Sequence, residues 1–158
     1  MALRDIVKQG DPVLTKTSRK VENFDARLHT LLDDMQESLK AVNGAGLAAV
    51  QVGVLRRAVL VDTEETGLVE LINPVITAQS GEQDGPEGCL SVPGVYGYVL
   101  RPQTVTISAQ DRHGKRFSLT GEGMAARAFC HEIEHLDGKL FLARVSRYIE
   151  EDELEENT

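Results

Sequence analysis

The pentapeptide His131-Glu132-Ile133-Glu134-His135 constrains this fold more than any other stretch of the sequence. It lies in a segment that is predicted to be helical from near Gly123 to near Gly138. The four-residue spacing places both imidazoles on one helical face, about 6 Å apart, so that both can bind one metal ion. Glu132 lies about 100° further around the helix. It can therefore hydrogen-bond a water at the metal without binding the metal itself.

The same helix carries a second, apolar stripe formed by Phe129, Ile133 and Leu136. Their spacing of four and seven residues predicts that this stripe anchors the helix in the core. An HExxH pattern is typical of metallohydrolases, but it does not identify the substrate. Two histidines also leave the site one ligand short, because a catalytic zinc usually has three protein ligands and one open position.

Several residues are candidates for the third ligand, namely Cys89, Cys130, Glu87, Asp137 and His113. Many zinc peptidases place this ligand downstream, where the nearest candidates are Asp137 and the acidic tail. Cys130 points about 100° away from His131, and we interpret it as a small buried residue. Cys89 lies in the stretch 87–91 between glycine-containing turns, and a thiolate there could complete the site.

The rest of the chain predicts one α+β domain. An amphipathic helix is predicted over residues 25–42, with its end at Asn43-Gly44. The prediction rests on five apolar residues that share one helical face, Leu28, Leu31, Leu32, Met35 and Leu39. Strands are predicted from apolar, β-branched runs at 58–61, 69–76, 98–107 and 117–119. The predicted architecture has antiparallel strands packed around the central HExxH-bearing helix.

Turns and the C-terminal end are predicted with weaker signals. Asn73-Pro74, Gly85-Pro86 and His113-Gly114 indicate turns between the strands. A third, weaker helix is predicted from about Arg144 into the acidic tail.

Composition and charge exclude several classes of protein. The 158 residues are 41% hydrophobic and 27% charged, which fits a single globular domain. No apolar run has the length of about 20 residues that a membrane helix needs. The first 14 residues mix charged and apolar residues unlike a secretory signal, so a cytosolic protein is predicted whose cysteines are thiols or ligands. The net charge of −8 is concentrated in the acidic tail, and no basic patch for nucleic acid stands out.

Three ordered motifs resemble those of the peptide deformylase family. They are Gly44-Ala45-Gly46-Leu47-Ala48-Ala49-Val50-Gln51, Glu87-Gly88-Cys89-Leu90-Ser91 and the HExxH pentapeptide. The resemblance extends to residues 10–14 and 136–141, and only about the last dozen residues lie outside it. In this order, and in a chain of this length, the motifs are highly specific.

The resemblance implies a function and a set of site residues. The function is metal-dependent removal of the N-formyl group from the N-terminal formylmethionine of new peptides. A ferrous ion is implied in the cell, with zinc, nickel or cobalt also able to occupy the site, although the ligand types alone allow zinc equally well. The implied metal ligands are Cys89, His131 and His135, and the implied general base is Glu132. Gln51 and the backbone N–H of Leu90 are the implied donors to the reacting carbonyl oxygen.

A substrate pocket is predicted beside the metal. Met124, Arg127 and Ala128 are candidates for its wall by their position on the metal-bearing helix, with plain helix packing as the alternative. Gly46 is predicted to let the substrate backbone approach closely. Glu87 is predicted to pair with Arg101 and so to brace the Cys89 loop. The predicted substrate-binding residues are Gly46, Leu47, Ala45, Gly88, Met124, Arg127 and Ala128.

Four positions depart from the pattern common in the family. Val50 replaces a proline, Ala45 a larger Val or Ile, Glu134 an Asp, and Cys130 a Gln. None removes a ligand or the base, so the departures bear on substrate preference and loop stiffness.

The chain is divided into a catalytic domain, residues 1–143, and a C-terminal helix with an acidic tail, residues 144–158. Some relatives carry a basic C-terminal helix that helps them dock on the ribosome. Here the charge has the wrong sign for ribosomal RNA. The prediction is transient ribosome contact that is weak or differently placed, with no direct nucleic-acid binding and no membrane contact.

Alternative functions follow from weaker readings of the same residues. HExxH alone permits a zinc endopeptidase, and a catalytically silent, deformylase-like protein could only bind peptides or metal. A purely structural zinc site would be closed by four protein ligands, whereas three are evident here.

Overall fold

The computed structural model describes residues 2–149, and within them the chain forms two α-helices and eight strands. The helices are α1 (Ala26–Val42) and α2 (Met124–Leu136). The strands are β1 (Gly46–Ala48), β2 (Ala58–Thr63), β3 (Gly67–Ser80), β4 (Gln83–Cys89), β5 (Val92–Arg101), β6 (Thr104–Gln110), β7 (Arg116–Glu122) and β8 (Val145–Tyr148). Short 3₁₀ helices span Pro12–Thr15, Ala49–Val52 and Phe141–Arg144.

The strands form two separate antiparallel sheets. The five-stranded sheet has the order β1-β2-β3-β6-β7, and the three-stranded sheet has the order β4-β5-β8. All described pairings between these strands are antiparallel. The predicted α+β class with antiparallel strands is therefore confirmed.

The two helices pack on opposite faces of the five-stranded sheet. Side chains alternate along β2, so Val59 and Val61 join the apolar cluster under α2, while Ala58 and Leu60 join the cluster under α1. The predicted stripe of α2, with Phe129 among its residues, lies in the first cluster. The HExxH-bearing helix thus has the core position that its apolar stripe predicted.

The limits of α1 agree with its sequence signals. The Asp25 side chain caps the helix by accepting a hydrogen bond from the Leu28 N–H at 3.1 Å. Asn43 ends it in the left-handed conformation, with φ of 52°. The helix predicted over residues 25–42 is confirmed to within one residue.

Two of the three predicted turns are wrong. Asn73-Pro74 lies inside β3, at a register shift where pairing with β2 has ended. The missing N–H of Pro74 therefore breaks no hydrogen bond to β2. Gly85-Pro86 lies inside β4, an edge strand, where proline is tolerated. The turn at His113-Gly114 is confirmed. The strand predicted over 98–107 is instead split between β5 and β6 around Pro102.

The helix predicted from about Arg144 is also wrong over the described residues. The chain instead forms β8, which pairs with β5, for example Val145 with Val99. Gly97 permits this approach, since a Cβ there would lie 2.5 Å from a Val145 methyl. Residues 150–158, which hold the rest of the predicted helix and tail, lie outside the described residues. No described helix is long and apolar enough to cross a membrane.

Candidate metal centre

Three potential metal ligands meet where α2 faces the end of β4. The ligand atoms of Cys89, His131 and His135 all lie within 4.8 Å of one another. The Cys89 Sγ is 3.3 Å from the His135 Nε2. A register shift between Gly88 and Cys89 ends the regular pairing of β4 and β5 at this thiol. Over residues 2–149, this is the one such group of three or more His, Cys, Asp or Glu side chains.

A buried carboxylate orients the first histidine. The Glu87 Oε2 is 2.9 Å from the His131 Nδ1, which leaves Nε2 as the nitrogen available to a metal. The same carboxylate accepts hydrogen bonds from Arg101, at 3.1 and 2.6 Å, and from the Arg127 Nη1 at 3.2 Å. The predicted pair of Glu87 and Arg101 is confirmed, and the same Glu87 carboxylate also bonds His131.

Glu134 continues this charged network towards the surface. Its carboxylate bonds to the buried Arg101 and to the more exposed Arg144. Glu134 therefore joins α2, β5 and the segment before β8.

The charges in this cluster shift the pKa values of the Glu87–His131 pair in opposite directions. Burial opposes ionisation of Glu87, but hydrogen bonds and charges from His131 and Arg101 outweigh it and lower its pKa to about 2. Burial likewise opposes protonation of His131, but the Glu132 charge and hydrogen bonds that the imidazole donates to Cys89 and Glu87 raise its pKa to about 10. A metal that binds the His131 Nε2 therefore displaces a proton.

The pKa values of Glu132 and His135 shift mainly through burial, because each side chain has a buried polar atom without a hydrogen-bond partner among the described residues. Burial, reinforced by the Glu87 charge, raises the pKa of Glu132 to about 7 against the opposing charges of His131 and Arg101. Burial and the His131 charge lower the pKa of His135 to about 3. The Glu132 Oε1 and His135 Nδ1 are buried and have no hydrogen-bond partner among the described residues.

Gly46 makes room for the Glu132 carboxylate. A Cβ at residue 46 would lie 2.5 Å from the Glu132 Oε2. The prediction assigned this glycine to the approach of the substrate backbone. The structure gives it a nearer reason, since any larger side chain would displace Glu132.

Gln51 lies across the cluster from α2 and is held on both sides of its amide. The side chain is only 1% exposed. Its Oε1 accepts from the Ala48 N–H at 2.9 Å, while its Nε2 donates to the Ser91 Oγ at 3.1 Å and to the Cys89 Sγ at 3.5 Å. The amide nitrogen therefore faces the cysteine rather than solvent.

A cavity of about 610 Å³ opens beside the cluster. Leu90, Glu132 and Gln51 line it together with two of the three ligands, Cys89 and His131. Six of the seven predicted substrate-binding residues also line it, namely Ala45, Gly46, Gly88, Met124, Arg127 and Ala128. A predominantly apolar cavity with a few polar groups suits a ligand with an apolar side chain.

The structure does not bring every candidate residue into this site. Leu47 is fully buried in the core under α1, so its side chain cannot reach the cavity. His113 packs instead against His29, and Asp137 pairs with Arg57 at 3.1 Å. Cys130 is buried in the core cluster, which confirms its interpretation as a small buried residue. Burial raises the pKa of its thiol.

Ser91 and Lys8 are two residues of the site that the sequence interpretation missed. Ser91 is fully buried, and its Oγ accepts a hydrogen bond from the Gln51 Nε2. Its place at the end of the second motif was the signal that could have identified it. Lys8 lines the cavity and donates from Nζ to the Leu90 carbonyl at 3.3 Å. No local pattern marks Lys8, because it lies 82 residues from its partner.

The donor set fits a divalent transition metal. One thiolate and two imidazoles are the ligands that Zn²⁺ and ferrous iron accept, and they leave a coordination position open. Glu132, which has a buried oxygen without a partner among the described residues, lines the same cavity as Cys89 and His131. An α+β domain in which an HExxH helix and a strand cysteine form this cluster defines a metal-dependent hydrolase.

Comparison with known proteins gives the family. The sequence profile of the polypeptide deformylase family matches residues 3–150. A peptide deformylase of Acetivibrio thermocellus is 54% identical over 155 residues, which are 98% of this chain and 91% of that protein. The chain therefore belongs to the polypeptide deformylase family.

Solved structures of the family have the same fold. The crystal structure of a peptide deformylase from Legionella pneumophila has a TM-score of 0.88 and 43% identity, covering 92% of this chain and 87% of that one. A peptide deformylase from Ehrlichia chaffeensis in complex with actinonin has a TM-score of 0.89 and 39% identity, covering 92% and 90%.

Proposed function

We propose that this enzyme removes the N-formyl group from the N-terminal formylmethionine of newly made peptides and releases formate. The observation that carries the proposal is the convergence of all three motifs on one cavity. Gln51, Cys89 and Glu132, one from each motif, line it together. Relatives about half identical over nearly the whole chain bear the name of this activity.

The proposed metal ligands are Cys89, His131 and His135. One divalent ion held there would act as a Lewis acid towards the reacting carbonyl and water. We propose Fe²⁺ in the cell, from the resemblance to the family, with Zn²⁺, Ni²⁺ or Co²⁺ able to replace it in purified protein.

The proposed general base is Glu132. Burial raises its pKa to about 7, which matches a group that both takes and returns a proton near neutral pH. Glu132 would take a proton from the water that attacks the formyl carbon. It would then return that proton to the leaving amine as the carbon–nitrogen bond breaks.

Gln51 and Leu90 are the proposed donors to the oxyanion. The Gln51 amide and the backbone N–H of Leu90 would hydrogen-bond the carbonyl oxygen as negative charge develops on it. Loss of one such donor typically costs about 2.7–4 kcal/mol of transition-state stabilisation. The buried hydrogen bonds of Gln51 to Ala48 and Ser91 fix its amide before substrate arrives.

The cavity provides the proposed pocket for the methionine side chain. Met124, Ala128 and the aliphatic stem of Arg127 would form its wall, with Ala45, Gly46 and Gly88 opposite. The Arg127 head group is anchored, because its Nη1 bonds Glu87 and the Val99 carbonyl. A formyl group carries only hydrogen where a peptide carries a Cα, so a tight oxyanion site would exclude ordinary peptides.

The remaining proposals concern location and partners. The proposed catalytic domain, residues 1–143, contains every residue assigned a role here. We propose a cytoplasmic enzyme that meets nascent chains there, without direct nucleic-acid binding. Contact with the ribosome through residues 144–158 should be weak, and tight pelleting with ribosomes that depends on those residues would overturn this.

The decisive experiment is formate release from a formyl-Met tripeptide by protein purified without oxygen. Glu132→Gln should lower kcat/KM by about 10²–10⁴-fold, because it removes the base. Glu82→Gln, at an exposed position between β3 and β4, is the matched control and should retain activity. Metal content is measured on each variant. No release by metal-loaded, folded wild-type protein, or cleavage of unformylated peptides instead, would contradict the proposed function.

A further inference from the structure

Residues 2–9 lie against both loops that carry the proposed oxyanion donors. The Val7 N–H donates to the Gln51 carbonyl at 2.7 Å. Two residues on, the Gln9 N–H donates to the Ser91 carbonyl at 2.8 Å, and the Lys8 side chain reaches the Leu90 carbonyl. The Gln51 loop connects β1 and β2 of the five-stranded sheet, and the Leu90–Ser91 loop connects β4 and β5 of the other sheet. This segment therefore ties the two sheets together at the site.

The other end of the segment is fixed to α1 by Asp34. The Asp34 Oδ1 accepts from the Ala2 N–H at 2.8 Å, and its Oδ2 is 2.9 Å from the Arg4 Nη2. The neighbouring Ser38 Oγ accepts from the Arg4 N–H at 2.8 Å. Among the described residues, every partner of the Asp34 carboxylate lies in this segment.

Asp34 is only 5% exposed, although it is a charged residue. Its ion pair with Arg4, whose side chain is 33% exposed, is a weak source of net stability, since solvent screens the arginine and an apolar residue often serves as well. What such a pair does provide is one defined position for the groups that it joins, because an unpaired alternative is costly. Asp34 thus specifies where residues 2–4 lie on α1.

We infer that residues 2–9 form a strap that positions the Gln51 and Leu90–Ser91 loops, and that Asp34 is the positioning residue that sets the strap in place. The inference rests on the proposed function of those loops. The strap acts on the backbone carbonyls of Gln51 and Leu90, whose amide side chain and N–H would face the substrate, and of Ser91, which accepts from the Gln51 amide. A displacement of either loop by about 1 Å can cost about 10²-fold in rate.

The test compares two adjacent aspartates on α1. Asp34→Ala should lower kcat for formate release by about 10- to 100-fold and change KM less than twofold. Asp33→Ala removes an aspartate–arginine pair of the same length, 2.9 Å to Arg112, from the same helix but away from the strap. It should leave kcat within twofold. Both variants are assayed well below their melting temperatures, with metal content measured.

A double-mutant cycle separates positioning from general destabilisation. If Asp34 acts through Gln51, the double variant Asp34→Ala, Gln51→Ala should lose less activity than the product of the two single losses. The pair Asp33→Ala, Gln51→Ala should lose the full product. Full multiplicativity in the Asp34 cycle would overturn the inference.

A conservative variant, Asp34→Asn, keeps the test decisive if Asp34→Ala does not fold. Asp34→Asn keeps an acceptor for the Ala2 N–H but loses the charge that holds Arg4, so its kcat should lie between wild type and Asp34→Ala. If only Asp34→Asn folds, an unchanged kcat would overturn the strap. Wild-type protein without formate release would instead refute the proposed function, so the two failures are distinct.

Discussion

The two sheets of this protein are held in place by different forces. The five-stranded sheet packs two helices through large clusters of buried apolar side chains. The three-stranded sheet has a small apolar cluster, Val92, Val99 and Phe141. Charged pairs join it to α2: Glu87 bonds Arg127 and His131, and Arg101 bonds Glu134. The difference teaches that the scaffold is built from hydrophobic burial, while ion pairs secure the part of the fold that presents Cys89 and orients His131.

The first prediction contrasts two arginines that each bind two carboxylates. Arg101 pairs with Glu87 and Glu134 with its side chain 3% exposed, whereas Arg112 pairs with Asp33 and Glu70 at 24% exposure. Arg101→Met should lower the free energy of unfolding by about 3 kcal/mol, since it removes the cation that Glu87 and Glu134 share and leaves these carboxylates only Arg127, His131 and Arg144 as partners among the described residues.

Arg112→Met, on the side of the five-stranded sheet, should cost about 1 kcal/mol or less, because solvent screens its pairs. Urea unfolding of both variants at neutral pH, with matched metal content, gives the two values. Equal losses would show that burial of the charges does not distinguish the two sheets.

The second prediction concerns metal affinity. Glu87→Gln weakens the acceptor that fixes the His131 ring, so metal affinity should fall by about 10- to 100-fold. Glu70→Gln is the matched control, because Glu70 also accepts from an arginine but lies away from the metal ligands. Competition with a chromophoric chelator under anaerobic conditions measures both affinities. An equal loss of metal affinity in Glu70→Gln would contradict the prediction that the Glu87 contact to His131 sets the affinity.

The smallest expected effect is a pH dependence of stability in metal-free protein. The pKa of Glu87 falls from 4.5 to about 2 on folding, so its contribution is present above pH 4.5 and is lost as pH falls towards 2. The pKa of His131 rises from 6.5 to about 10, so its contribution is present below pH 6.5 and is lost as pH rises towards 10.

The Glu87–His131 pair should therefore stabilise metal-free protein most between about pH 4.5 and 6.5. Glu87→Gln should flatten both limbs of melting temperature against pH. Limbs as steep as those of wild type would mean that other groups control them.

The sequence predicted those features that depend on neighbours along the chain. The helical spacing of His131 and His135, the apolar stripe of α2 and both ends of α1 follow from local periodicity and capping. The proline-based turns failed because proline at a strand edge or beyond a pairing boundary costs the sheet nothing. The helix predicted after Arg144 failed because the open edge of β5 offered Val145 a strand partner.

By itself the sequence determined the HExxH helix, the α+β class and the resemblance to the family, since each resides in local spacing or in ordered motifs. Only the tertiary structure decided that the Cys89 Sγ lies 3.3 Å from a histidine 46 residues away and that Glu87 holds the other histidine. It also decided that Gly46 makes room for Glu132. Such contacts depend on strand register and on how the sheets meet α2, and no periodicity along the chain encodes them.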